Sequence, residues 1–254
     1  MKHPSMYLDW YAHVPKVKYD FKSSGVAYFN HDLRLNSLDF SVNYEYGNPK
    51  TALQLANWYG VKPENVFISS EGASGQNARI IRCLAEKVPK KNEAVVEYPT
   101  YEPLLRQVQE HFSRMKRLVR REENAYKLDA DELLKLVSDK TGLLVLTNPH
   151  APSGAISDAK ELKEVMTIAR ERGFYVLCDE IYAEFDREKV PTIFSVDRVG
   201  HRHDELHESL RSRGTEIGSR TDRQEDCRRI VHGRTQHRGQ QPQHSTNYRG
   251  RTAV

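Results

Sequence analysis

Short apolar runs that alternate with amphipathic segments constrain the middle of this chain most. The runs are NVFIS (65–69), AVVEYP (94–99), the one inside SRMKRLVR (113–120), GLLVLTNP (142–149) and FYVLCDEIY (174–182). Each has the length of a strand, and their near-continuous apolar character suits strands covered on both faces. Between them lie stretches with helical spacing: TALQLANWYG (51–60), SEGASGQNARIIRCLAEKV (70–88), YEPLLRQVQEHF (101–112), DADELLKLVSDK (129–140) and SDAKELKEVMTIARERG (157–173). The last starts at Ser157 as a candidate N-cap, sets Leu162, Val165, Met166 and Ala169 on one face, and stops at Gly173. Strands alternating with helices predict an α/β domain of three layers, α/β/α, around a mostly parallel sheet. In such sheets ligands sit beyond the carboxyl ends of the strands.

Composition divides the chain of 254 residues. Residues 1–45 mix aromatics and charges without periodicity, and residues 46–199 carry the regular pattern. The chain has 39 Lys+Arg and 35 Asp+Glu; residues 201–254 hold 11 Arg, no Lys and 7 acidic residues, so the first 200 are balanced at 28 against 28. That last segment also holds 6 of the 11 His and only 9 apolar residues, and reads as a disordered basic tail. No apolar run approaches the ~18 residues of a membrane helix. No apolar signal segment opens the chain, so the expectation is a soluble, cytoplasmic protein. Cys83, Cys178 and Cys227, with no close spacing, predict neither a disulfide framework nor a zinc site.

Chemistry-bearing residues fall at the expected strand ends. Asp179 lies in an apolar strand with no Lys or Arg on it, and a buried ionised carboxylate needs a cation, which a ligand can supply. Tyr182 follows three residues on. SSEGASGQNARI is a small-residue turn into a helix N-terminus, where the N–H groups of Ala73 and Ser74 can face an anion. In YPTYEP, Tyr101 stands just past a strand end, where its ring can stack on a flat ligand. TNPHAPSGA (147–155) is a tight loop at the next strand end. Taken singly, each has a plainer reading: a backbone-capping Asp, an ordinary strand–helix turn, a rim tyrosine.

Taken in order, these motifs resemble class I/II aminotransferases, the fold-type-I enzymes dependent on pyridoxal phosphate. The family reads small-residue turn, P-x-Y, N-P-x-N-P-[TS]-G, D-E-x-Y; the resemblance spans roughly residues 25–199 and includes YEYGNP (44–49). It implies transfer of an amino group between an L-amino acid and a 2-oxo acid, with pyridoxal 5'-phosphate as cofactor. It also implies a homodimer. Ala73 and Ser74 would hold the phosphate, Tyr101 would stack on the pyridine ring, Asp179 would pair with its nitrogen, and Tyr182 would bond its hydroxyl. Tyr46 matches a tyrosine that reaches the phosphate across the dimer interface. The family usually has Asn where this chain has Ala151, so one amide contact to the ring hydroxyl is missing.

The family's cofactor-bonding lysine, in S-x-[ST]-K-x-x-G-x-x-G-x-[RK]-x-G, has no counterpart after Tyr182, and Lys189 is the last lysine. Back-translated and read one nucleotide later, GHRHDELHESLRSRGTEIG (200–218) permits S-F-T-K-A-Y-G-x-G-G-L-R-L-G, the missing motif. Residues from about 200 onward therefore read as an out-of-frame tail, and the chain as impaired or inactive. The competing expectation is a non-catalytic fragment whose Arg/His-rich tail binds a polyanion such as nucleic acid. No aromatic platform organises that tail, and His201, His203 and His207 lack a second ligand pair for a metal.

Overall fold

The computed structural model describes residues 6–19, 48–186, 188–196 and 209–212. In chain order the elements are α1 (Met6–His13), α2 (Pro49–Tyr59), α3 (Gly72–Lys87), β1 (Glu93–Tyr98), α4 (Glu102–His111), β2 (Arg114–Val119), α5 (Ala130–Leu136), β3 (Thr141–Thr147), α6 (Ala159–Arg172), β4 (Tyr175–Asp179), α7 (Ile193–Val196) and β5 (Ser209–Ser212). The five strands form one sheet in the order β2-β1-β3-β4-β5, and all pairings are parallel.

The burial of each strand follows from its place in that order. All seven residues of β3 and all five of β4 are buried. β2, at the edge, is largely half-buried and carries Arg114, Lys116 and Arg117. Charge on an edge strand discourages pairing with another chain. Successive residues of the central strands face opposite layers. Val95, Leu144, Leu146, Val176 and Cys178 pack with Leu133 of α5, Leu162 and Val165 of α6, and Ile193 of α7. Ala94, Val96, Leu143, Val145 and Leu177 pack with Ile81 and Leu84 of α3 and Leu104 and Val108 of α4. Fully burying one such leucine is worth roughly 1.5–3 kcal/mol.

Helix ends are set by local chemistry. Gly60 and Gly173 adopt left-handed φ of 59° and 66° and terminate α2 and α6. Asn48 caps α2 through Lys50 N–H. Asp158, not Ser157, caps α6, in a reciprocal capping box with Glu161. Ser157 is instead buried, 1% exposed. Two further differences from the sequence reading concern extent. Residues 66–69 are not a strand, because no described segment pairs with them. α5 ends at Leu136, well short of Lys140, because Ser138 turns back to Thr141: its N–H donates to Thr141 Oγ1 at 2.9 Å.

Glu93 joins three strands at the amino end of the sheet. Its Oε1 accepts Lys116 Nζ at 3.0 Å, Ser138 Oγ at 2.8 Å and Thr141 Oγ1 at 2.7 Å. Burial pushes this carboxyl up, but those hydrogen bonds and the Lys116 charge together hold it below the ordinary carboxylate range. Of the tail, only β5 is described, and it pairs with β4 from Val176↔Ser209 to Asp179↔Ser212. The E93Q variant is expected to lose about 1–3 kcal/mol, the scale of a hydrogen bond to a charged group. Urea denaturation at neutral pH measures it; as pH falls through the carboxylate range, the gap between wild type and variant should close.

Candidate active site

The sheet order reverses its direction of growth at β1: the chain passes from β1 outward to β2, then returns to place β3 on the other side. In open parallel sheets such a reversal is where ligands bind, in the crevice beyond the carboxyl ends of the two strands, here β1 and β3. Several sequence-derived candidates stand at the ends of neighbouring elements. Tyr101 follows β1, residues 147–155 follow β3, and Asp179 ends β4. Ala73 and Ser74 lie in the first turn of α3.

Asp179 is 8% exposed. Its Oδ2 accepts the Asn77 amide at 2.7 Å, and its Oδ1 accepts the Ile181 N–H at 3.1 Å. Burial pushes its carboxyl up, while the bonds from Asn77 and Ile181 pull it down. Among the described residues no cation pairs with it. Asn77 sits on α3 one turn beyond Ala73, so one helix presents both its N-terminus and an amide to this site. Sequence reasoning missed Asn77; its signal was a polar residue on the apolar face of α3.

Tyr101 occupies the N-cap position of α4, where its side chain makes no capping bond, and is 36% exposed. Burial pushes its phenol up, Tyr7, Tyr182 and Asp179 add to that, and the Ser74 side chain pulls it back. Three of the other candidates, Ser74, Asp179 and Tyr182, therefore lie within electrostatic reach of Tyr101. Ala73 is buried and Ser74 exposed, and no side chain caps the N-terminus of α3. Tyr46 lies outside the described residues, as do His201, His203 and His207. Tyr7, from α1, meets Tyr101 edge-on at 5.4 Å, a neighbour with no signal in the sequence.

The loop after β3 accounts for Ala151, Asn148 and His150. Asn148 is committed to the scaffold: its Oδ1 accepts Ser157 N–H at 2.9 Å and its Nδ2 donates to Pro191 O at 3.1 Å. His150 is 1% exposed. Its Nε2 lies 2.8 Å from Pro99 O, a pure acceptor, so Nε2 carries the proton and Nδ1 accepts Ser153 Oγ–H at 2.6 Å. Neither side chain is available to replace the amide absent at Ala151. The Ala151 N–H donates to Thr147 Oγ1 at 2.8 Å.

Beneath the loop is a buried ionic network that the sequence reading passed over. Glu97 and Arg120, side chains 0% and 1% exposed, pair at 3.0 Å. Burial pushes Glu97 up to about 7, against the pull of Arg120 and Thr147. Burial, then the Arg120 charge, pushes His150 down to about 4. Lys189 has the wrong environment for a nucleophile. It is exposed, donates to Asp186 at 2.7 Å, and that bond pushes its ammonium up; a reactive lysine needs the reverse.

The chain matches the aminotransferase class I and II family over residues 35–217. It belongs to that family. It is 24% identical over 142 residues to histidinol-phosphate aminotransferase of Methanococcus maripaludis (strain C6), covering 56% of this chain and 37% of that protein. It is 40% identical over 65 residues to aspartate aminotransferase of Sulfolobus acidocaldarius, covering 26% and 16%. The chain thus spans well under half the length of these relatives. Among solved structures, a PLP-dependent aminotransferase from Streptococcus suis 89-1591 superposes with a TM-score of 0.54 at 30% identity, covering 60% of this chain and 40% of that one. The aromatic aminotransferase from Pyrococcus horikoshii OT3 shares the fold at 24% identity and a TM-score of 0.53, covering 60% and 42%. The three-layer α/β/α fold expected from the sequence is therefore that of the family. Among the described residues no helix is long and apolar enough to cross a membrane.

The opposed shifts of Glu97 and His150 predict a pH signature. Glu97, raised from 4.5 to about 7, contributes stability that is fully present below 4.5 and lost as pH rises through 7. His150, lowered from 6.5 to about 4, contributes stability that is present above 6.5 and lost as pH falls through 4. In the wild type the two oppose each other over one window. H150N should therefore gain stability relative to wild type as pH falls from about 6.5 to 4.5, and E97Q should lose it. Urea midpoints at half-unit pH steps measure both.

Proposed function

We propose that residues 46–199 are the cofactor-binding large domain of a pyridoxal-phosphate-dependent aminotransferase that moves an amino group between an L-amino acid and a 2-oxo acid. The observation that carries this reading is Asp179, a carboxylate 8% exposed, bonded to an amide and a backbone N–H but, among the described residues, to no cation. A protonated pyridine nitrogen is the partner such a group lacks. The rest of the crevice fits the same ligand. The first turn of α3, with Ala73 and Ser74, suits a phosphate, and the Tyr101 ring suits the face of a pyridine. Tyr182 is the remaining donor for the ring hydroxyl, since Ala151 has none to offer and Asn148 and His150 are engaged elsewhere.

When bound, pyridoxal 5'-phosphate supplies an electron sink for bond breaking at the α-carbon of an amino acid. The chain's own residues hold it there. Asp179 keeps the proton on the ring nitrogen, and Asn77 fixes the carboxylate that does so. Tyr46, by its match to the family, completes the phosphate site from the partner subunit of a homodimer. The family's soluble enzymes support a cytoplasmic setting.

We infer further that residues 200–254 are read out of frame and that this chain has little or no transaminase activity. Lys189, the last lysine, is ion-paired and exposed. The nucleotide sequence around codon 200 decides it: a shifted frame that closes early, or lacks the lysine codon, refutes the inference. Protein chemistry gives a second check. Pyridoxal phosphate should bind reversibly, and D179A should weaken that binding about tenfold or more, the scale of a charged hydrogen bond, in an absorbance titration. Borohydride should leave no stoichiometric pyridoxyl-lysine at a single position.

A further inference from the structure

We propose that Arg120 is a positioning residue which, with Glu97, sets the backbone of the two loops that line the crevice, 98–101 and 147–157. Arg120 follows the edge strand β2, and its three guanidinium nitrogens point three ways. Nη1 donates to Glu97 Oε2 at 3.0 Å, Nη2 to Ser157 Oγ at 3.0 Å, and Nε to Tyr126 O at 2.6 Å. Its backbone N–H donates to Tyr98 O at 2.8 Å.

From Glu97 the connection continues into the 147–157 loop. Oε1 accepts both the Thr147 N–H, at 2.7 Å, and the Thr147 hydroxyl. That hydroxyl has its one proton committed to Glu97, so it is oriented to accept from the Ala151 N–H. A line of hydrogen bonds therefore runs from the guanidinium to the loop tip. Nη2 fixes the far end of the same loop at Ser157. His150 then ties the loop to 98–101 through Pro99 O, two residues before Tyr101. Every side chain in the line is sealed from solvent, with Arg120 2%, Glu97 0%, Thr147 5%, His150 1% and Ser157 1% exposed.

Only arginine has the planar fork that serves three acceptors at once. A buried pair of this kind is weak evidence for stability as such, since apolar replacements are often as stable. Its distinct property is direction: the fork dictates where Thr147, Ser157 and Tyr126 stand relative to one another. That these loops face a cofactor rests on the function proposed above; that Arg120 sets their positions does not.

Amide hydrogen exchange on the full chain without cofactor tests the inference. In R120M, protection at Thr147, Ala151 and Ser157 should fall about tenfold or more, the scale of one charged hydrogen bond, while the β4 amides and those of β3 before Thr147 keep theirs. R120K should recover protection at Thr147, through Glu97, and not at Ser157. The double variant E97Q/R120M removes the unpaired buried carboxylate and guards against simple unfolding of R120M. It should fold with protected strands and an unprotected Ala151 amide. Unchanged protection at the three amides in R120M overturns the proposal. So does a loss spread evenly over strands and loop in both R120M and the double variant, or a full recovery by R120K. Failure of pyridoxal phosphate to bind a wild type with a protected loop would instead overturn the functional reading and leave this one standing.

Discussion

A carboxylate at the end of β1 and a guanidinium just past β2 are buried together, and the crevice takes its form from that pairing. Two charges removed from water must satisfy each other and then every remaining donor and acceptor. Glu97 and Arg120 do this by recruiting the loop after β3: the Thr147 N–H and hydroxyl donate to Glu97, and the Ser157 hydroxyl accepts from Arg120. A loop that would otherwise run over the surface is thereby drawn into the sheet end. It arrives at the crevice with its backbone already fixed. Asp179 shows the contrasting case. Its partners among the described residues are a neutral amide and a backbone N–H, neither of which carries a compensating charge.

The layers of the fold were legible because they depend on local pattern. Continuous apolar runs in 94–99, 142–149 and 174–182 became β1, β3 and β4, and glycines at 60 and 173 stopped helices as expected. Where the pattern misled, competing local chemistry explains it. Asp158 outcompetes Ser157 as a cap because it is an anion at a helix N-terminus with Glu161 placed to reciprocate. Residues 66–69 carry strand-like side chains, but a strand requires a neighbour, and pairing is not a local property. α1 gave no periodic signal because none of its residues is buried.

Much of the site was legible too, and for a different reason. Asp179, Tyr101, Ala73 and Ser74 stand at the ends of elements, so topology alone brings them near one crevice. The supporting groups were hidden. Glu97 breaks an apolar strand just as Asp179 does, yet nothing in AVVEYP reveals that its partner lies 23 residues on. That depends on the register of β1 against β2, which sets Glu97 opposite Leu118 and carries Arg120 past the strand end. Ala151 was visible as a departure from the family, but its surroundings were not. In the fold Asn148 and His150 are turned inward, toward Pro191 and Pro99.

Helix α1 and the mouth of the crevice are joined by a carboxylate. Glu102, next to Tyr101, accepts the N–H of Met6 at 3.2 Å and that of Tyr7. An eight-residue helix with no buried side chain does not persist alone in water. Its anchor arrives some ninety-five residues later in the chain, on a helix that must first pack on the sheet. The Tyr7 edge that meets the Tyr101 ring therefore rests on a contact between residues far apart in sequence, not on the helix itself.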